Sequence, residues 1–346
     1  MKQLALVLIV RDEAARIARC LDSARDIVDE IVVLDTGSSD ATVEIARSRG
    51  AHVHAFEWCD DFAAARNAAL GHSSSSWSLV LDADEWLESV DRNVLEAVLA
   101  GPPLVGVLPV VSEFELQGRV ERATSWIPRL LPRGVGYAGR IHEQPVSDLP
   151  RRRVPLPVHH DGYRQADMAA KRRRNETLLR RALEEDPQDA YLLYQLGKNH
   201  ETGGEFEQAT PLYRQALALT DADADAAFRH DLVVRAIFTL KKAGLHEEAI
   251  HLADAEMANW QHSPDYYFAL GDLLLDWVAS NPGAVDELLP MVEASFLRCL
   301  EIGEQPELDG AVSGRGSHLA AHNLAVLYEG LGDAAKAAHY RQLATG

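Results

Sequence analysis

Two aspartates one residue apart, Asp82 and Asp84, close the short apolar run Leu79-Val80-Leu81. Residues i and i+2 of an extended segment point the same way, so both carboxylates can face one site. Hard oxygen ligands at that spacing suit Mg²⁺ or Mn²⁺ carrying a nucleoside diphosphate. The same residues also suit a turn followed by the capped start of a helix over 89–100. A further acid, Asp35, closes the apolar run Ile31-Val32-Val33-Leu34. A carboxylate placed there accepts hydrogen bonds from a base or a ribose, as the acid of dinucleotide folds does.

Such acids act together only if the chain brings them to one edge. The apolar runs at 4–10, 31–34 and 79–81 read as strands buried on both faces, with a further short strand at 52–56. Helical spacing fills the intervals, through Ile17 and Leu21, then Val43, Ile45 and Ala46, then Arg66 and Asn67 behind a cap at Asp60 or Asp61. Alternating strands and helices predict a parallel sheet with right-handed crossovers, which gathers the polar loops on one side. No G-x-G-x-x-G follows the first strand and no G-x-x-x-x-G-K-[ST] occurs, which disfavours a dinucleotide enzyme and a P-loop ATPase. Glycine and proline punctuation over 104–158 predicts antiparallel strands at 104–111, 119–123 and 126–131.

From about residue 188 the chain is helical and repetitive. Leu196-Gly197, Gly204, Ala209 and Ala216 fall at the spacing of a helix-turn-helix unit of about 34 residues. Gly244 and Ala249, Leu270-Gly271, and Leu324-Ala325 with Gly332 and Ala337 repeat parts of the pattern, with an interruption at Asn281-Pro282-Gly283. Small residues let helices pack closely and glycines close the turns, which predicts about four tetratricopeptide-like repeats.

Composition sets the frame. At 346 residues, 47% hydrophobic and 25% charged, the chain fits a soluble protein of two or three domains. The apolar stretch 4–10 is too short to span a bilayer and lacks a following cleavage site, so it reads as a strand. Cys20, Cys59 and Cys299 form no close pair, which points to a reducing compartment, the cytoplasm, and away from structural zinc. Of the net charge of −19, residues 184–346 carry −17, a balance that repels nucleic acid. It suits a basic protein partner, and equally a plain solvated surface.

Five ordered blocks resemble the family 2 glycosyltransferases of GT-A fold: Val10-Arg11-Asp12-Glu13, Asp35-Thr36-Gly37-Ser38-Ser39-Asp40, Phe56 to Phe62, Ala65-Arg66-Asn67 and Leu81 to Glu85. The subgroup is the one in which tetratricopeptide repeats follow the catalytic domain, and it includes enzymes that glucosylate cysteine in small antimicrobial peptides. The resemblance implies a nucleotide-sugar donor, usually a UDP-sugar, a divalent metal (Mg²⁺ or Mn²⁺), and inverting transfer. It places the nucleotide sugar against Arg11, Glu13, Asp35, Ser38, Asp40, Arg66, Asp82 and Ala83. It places the metal on Asp84, with Asp82 toward the ribose. Arg140-Ile141-His142-Glu143 is similar to an Arg-x-His-Glu segment of the family, and His160-Asp161-Gly162-Tyr163 to a His-x-Gly-Tyr segment in which Asp161 replaces an aromatic residue. Since many sites of this fold add a late histidine, His142 and His160 join Asp82 and Asp84 as candidate metal ligands. Inversion in one step needs a base on the far face of the sugar, and Glu143 is the candidate.

The expectation is therefore a GT-A α/β domain over 1–165, a helical linker over 166–186 and an all-α solenoid over 187–346. The repeats would present a peptide or protein acceptor, or drive homodimerisation. The rival is a repeat scaffold with a vestigial transferase domain. Neither the sugar nor the acceptor atom is written in the sequence.

Overall fold

The computed structural model describes residues 3–116, 119–160, 168–220 and 227–345, so Asp161, Gly162 and Tyr163 lie outside the described residues. The chain divides into two compact units, residues 1–114 with 125–182, and residues 115–124 with 183–346.

In the first unit β1 (Leu4–Val10), β2 (Glu30–Asp35), β3 (His52–Ala55) and β4 (Trp77–Val80) are parallel, in the order β3-β2-β1-β4. Alternate residues of β1 serve two cores. Leu4, Leu6 and Leu8 pack with Ile17 and Leu21 of α1 (Ile17–Ala24) and Ala46 of α2 (Thr42–Ser48). Ala5 and Val7 pack instead with Ala63, Ala65 and Ala69 of α3 (Phe62–Gly71), which Asp61 caps by accepting the Ala64 N–H at 2.8 Å. Strand order reverses between β1 and β4, and ligands of open α/β sheets bind outside the carboxyl ends of the strands at such a switch. Residues after β1, β2 and β4 therefore share one crevice.

The stretch after β4 is a turn into a short strand, β5 (Glu85–Leu87); the following helix, α4 (Arg92–Ala100), is capped by Asp91. Asp82 and Asp84 are thus not its cap. The expected antiparallel strands are longer than predicted: β6 (Val105–Leu116) and β7 (Arg119–Pro132), with 119–123 and 126–131 forming one continuous strand. The first-unit half of β7 pairs antiparallel with β4, Leu79 opposite Leu130. β8 (Gly136–Ala138) and β9 (Gln144–Val146) form a separate pair, β10 (Arg151–Arg153) lies along β6, and β11 (Val158–His160) runs between β6 and β5. The helix α5 (Met168–Glu185) closes the first unit through Ala182.

The second unit carries four helix pairs among the described residues: α6 (Ala190–Glu201) with α7 (Phe206–Leu219), α8 (Arg229–Lys242) with α9 (His246–Glu256), α10 (Pro264–Ser280) with α11 (Val285–Ile302), and α12 (His318–Gly330) with α13 (Ala334–Leu343). A Cβ on Gly197 would sit 2.5 Å from the Tyr213 ring, and one on Gly271 2.9 Å from the Phe296 ring, so these two positions admit only glycine at this helix separation. The segment between α11 and α12 folds back over α8 and α10. It includes β12 (Ala311–Val312), which pairs with Ala123 and Thr124. Buried Asp265 accepts the Val312 N–H at 2.9 Å and the Arg315 guanidinium at 3.0 Å, while His230 bridges Ser263 Oγ and the Asp309 carbonyl. Among the described residues no helix is long and apolar enough to cross a membrane.

Candidate active site

Asp82 sits where β4 releases the chain, and both of its carboxylate oxygens are engaged. Oδ1 accepts Arg66 Nη2 at 2.8 Å and Oδ2 accepts Arg129 Nη2 at 2.9 Å. Burial works to raise the Asp82 carboxyl; the two guanidinium charges outweigh it and hold it well below the usual carboxylate range. Arg66 comes from α3 and also donates through Nε to Glu143, whose side chain is 9% exposed. Arg129 comes from β7 and also donates to Glu85, and the second oxygen of Glu85 accepts the Asp82 N–H at 2.9 Å. Burial keeps the Glu85 carboxyl above its ordinary value despite Arg129. The row Glu143–Arg66–Asp82–Arg129–Glu85 is therefore a buried ladder of alternating charge in which only Asp82 reaches the crevice, with 37% of its side chain exposed. Unpaired, any one of these charges would be costly at such depth.

Asp84 faces the other way along the crevice. Its Oδ2 lies 3.5 Å from His160 Nε2 and 3.8 Å from Lys171 Nζ. Burial alone would raise Asp84, yet the hydrogen bond and charge of His160, with Lys171, bring it below its ordinary value. His160 moves reciprocally upward: burial would lower it, and Asp84 overcomes that. The other His160 ring nitrogen lies 3.1 Å from Ser112 Oγ on β6, which fixes the ring plane. Glu13 is pushed upward by burial and then by the Asp84 charge, with Arg16 3.2 Å away as its partner.

The remaining expected contacts divide. Asp35 ends β2 on the same edge, and its carboxylate accepts the N–H groups of Gly37 and Ser38 at 3.2–3.3 Å. Ser38 and Asp40 tie two loops together: Ser38 Oγ accepts the Asp12 N–H at 2.9 Å, and Asp40 accepts the Ala14 N–H at 3.0 Å. Asp40 is not the N-cap residue of α2, which begins after Ala41. Arg11 is exposed on that loop, and Ala83 is buried beneath the acids. Asn67 clasps the backbone of Tyr137 in both directions, at 2.8 and 2.9 Å, so Arg66 and β8 are positioned as one piece. The Tyr137 ring lies 5.7 Å from the Arg66 guanidinium, and burial pushes its phenol up to about 12.

The structure does not assemble the four expected metal ligands. Among the described residues no group of three or more His, Cys, Asp or Glu side chains converges. Asp82 spends both oxygens on arginines, and His142 lies in the β8–β9 connection with a left-handed backbone, φ 51°. Asp84 with His160 is what remains. Sequence reasoning missed Arg129, although a lone arginine inside the apolar strand segment Trp126-Ile127-Pro128-Arg129-Leu130-Leu131 is a signal, since charged residues are buried only when paired.

The Glycosyl transferase family 2 model matches residues 5–140, the stretch that holds Asp35, Arg66, Asp82, Asp84 and Arg129. A TPR repeat-containing protein of Synechococcus elongatus is 33% identical over 287 residues, covering 78% of this chain and 69% of that one. Residues 5–140 are a glycosyl transferase family 2 domain. This domain, a GT-A-like mixed sheet, is followed by a tetratricopeptide-like region. The SPbeta prophage-derived glycosyltransferase SunS of Bacillus subtilis is 30% identical over 201 residues, and there the match covers 55% of this chain and about half (47%) of the relative. Over 51% of its length the chain is similar to the crystal structure of MamA, with 88% of that chain covered, 18% identity and a TM-score of 0.39.

Proposed function

We propose that this family 2 domain transfers a sugar from a nucleoside diphosphate donor, a UDP-sugar in the first instance, to a peptide or protein acceptor with inversion. The observation that carries the reading is the placing of Asp82 and Asp84 beyond β4, on the edge where Asp35 ends β2, at the switch point of the sheet. Asp35 then serves the base or ribose, and Asp82, held rigid by Arg66 and Arg129, the ribose side of the diphosphate.

The donor set fits a divalent cation of the kind that keeps several waters and shares substrate phosphates, which needs only one or two protein ligands. Asp84 and His160 would hold it. When bound, such an ion offsets the charge gathering on the departing diphosphate. Arg66 and Arg129 hold Asp82 already oriented, so that it needs no reorganisation during transfer.

Glu143 leaves its expected role as base. Its carboxylate is buried and accepts from Arg66 Nε, so we assign it to anchoring Arg66. The repeat region, with most of the net charge of −19, favours an acceptor of positive charge.

A thermal-shift panel of UDP- and GDP-sugars, with and without Mn²⁺, tests the proposal, because a ligand of the native state raises the melting temperature by mass action. The expected result is a shift with one donor class that grows when Mn²⁺ is present. No shift with any nucleotide sugar would overturn it.

A further inference from the structure

Lys171 is the residue that the sequence pattern buries among its neighbours in a basic run and the structure singles out. It lies at the start of α5 and reaches across to Asp84, its Nζ 3.8 Å from Oδ2, on the carboxylate oxygen that His160 also approaches. More than a third of its side chain (37%) remains exposed, so the ammonium stands at the crevice rather than under it. About one and nearly three turns along the same helix, Arg174 and Arg181 fix the placement: the Arg174 guanidinium lies 5.3 Å over the Phe62 ring, and Arg181 pairs with Asp60 at 2.9 Å. Burial, then the like charge of Arg11, pulls the Arg174 guanidinium below its ordinary value.

We propose that Lys171 contacts the diphosphate of the donor and balances its charge beside Asp84; this rests on the donor reading above. In the free protein the ammonium pairs with Asp84. A cation held by Asp84 and His160 would repel that ammonium at such short range, and the phosphate oxygens bound to the same cation attract it. Lys171 therefore exchanges a carboxylate for a phosphate partner while α5, held at Arg174 and Arg181, stays in place. A compact ammonium on a flexible stem suits this exchange better than a planar guanidinium, which explains a lysine at the head of a run of arginines.

The test is calorimetric binding with Mn²⁺ present, using UDP, GDP and their parent nucleosides, on wild type, Lys171→Met and Lys171→Arg. The expected result is that Lys171→Met weakens the nucleoside diphosphate by at least about tenfold and leaves the nucleoside unchanged. Lys171→Arg should recover only part of the loss, because the positive charge returns on a planar head that fits the exchange less well. Two results overturn the proposal: unchanged diphosphate binding by Lys171→Met, or equal weakening of nucleoside and diphosphate, which marks a merely structural ion pair. Wild type that binds no nucleotide would instead overturn the donor reading itself.

Discussion

Arg129 and Asp82 lie 47 positions apart in the chain and 2.9 Å apart in the fold. The antiparallel pairing of β7 with β4 brings them together, since Leu130 stands opposite Leu79. Arg129 also holds Glu85, so one guanidinium bridges a buried acid and the partly exposed Asp82 at the mouth of the site.

Replacing Arg129 with methionine removes that charge while keeping the apolar stem. Glu85 is then buried without a cation, and breaking a buried pair on one side costs about 3–5 kcal/mol. Denaturant unfolding of Arg129→Met should show a loss of that order, and adding Glu85→Gln should return part of it. Additive losses in the double variant would contradict the ladder.

Glu143→Gln separates an anchor from a base. The amide oxygen still accepts from Arg66 Nε, so an anchoring role predicts a fall in turnover of less than about tenfold, whereas loss of a general base costs on the order of 10²–10⁴. Turnover measured at saturating donor and acceptor decides between them.

In the repeat unit Asp231 accepts from Tyr194 and Arg235 and lies 3.4 Å from Lys198. Burial raises its carboxyl, and the charges of Arg235 and Lys198 outweigh this and hold it far below the ordinary value of about 3.9. A group depressed in the folded state contributes stability that is present above its unfolded pKa and lost as pH falls through the folded one. Below about pH 4 wild type should therefore lose stability with a steeper slope than Asp231→Asn, as read by urea unfolding at a series of pH values. Parallel slopes would refute the assignment.

Much of this molecule is legible in its residues because the physics is local. Strand runs ending in acids, a helix cap at Asp60 or Asp61, and the turn glycines Gly204, Gly244 and Gly332 each announce themselves without reference to distant chain. Those three glycines adopt φ of 74–76°, a backbone region that other residues rarely enter. What escaped depends on register between remote strands. Nothing near Arg129 in the sequence says that Asp82 is its partner, and nothing near Glu143 says that Arg66 will cover it. The Asp82-Ala83-Asp84 spacing predicts both carboxylates aimed at one site from an extended segment; the chain turns there instead, with both acids beyond β4. That spacing does not show that neighbouring arginines take both oxygens of the first and leave the second to His160 and Lys171.

The account depends on Asp84 holding the cation that binds the donor diphosphate. Calorimetric titration of the best-binding nucleoside diphosphate into wild type and Asp84→Asn, each with Mn²⁺ and with EDTA, measures that dependence directly. Wild type should bind at least about tenfold more tightly with Mn²⁺ than with EDTA, and Asp84→Asn should bind equally in both. An Mn²⁺ enhancement that survives in Asp84→Asn would contradict the account.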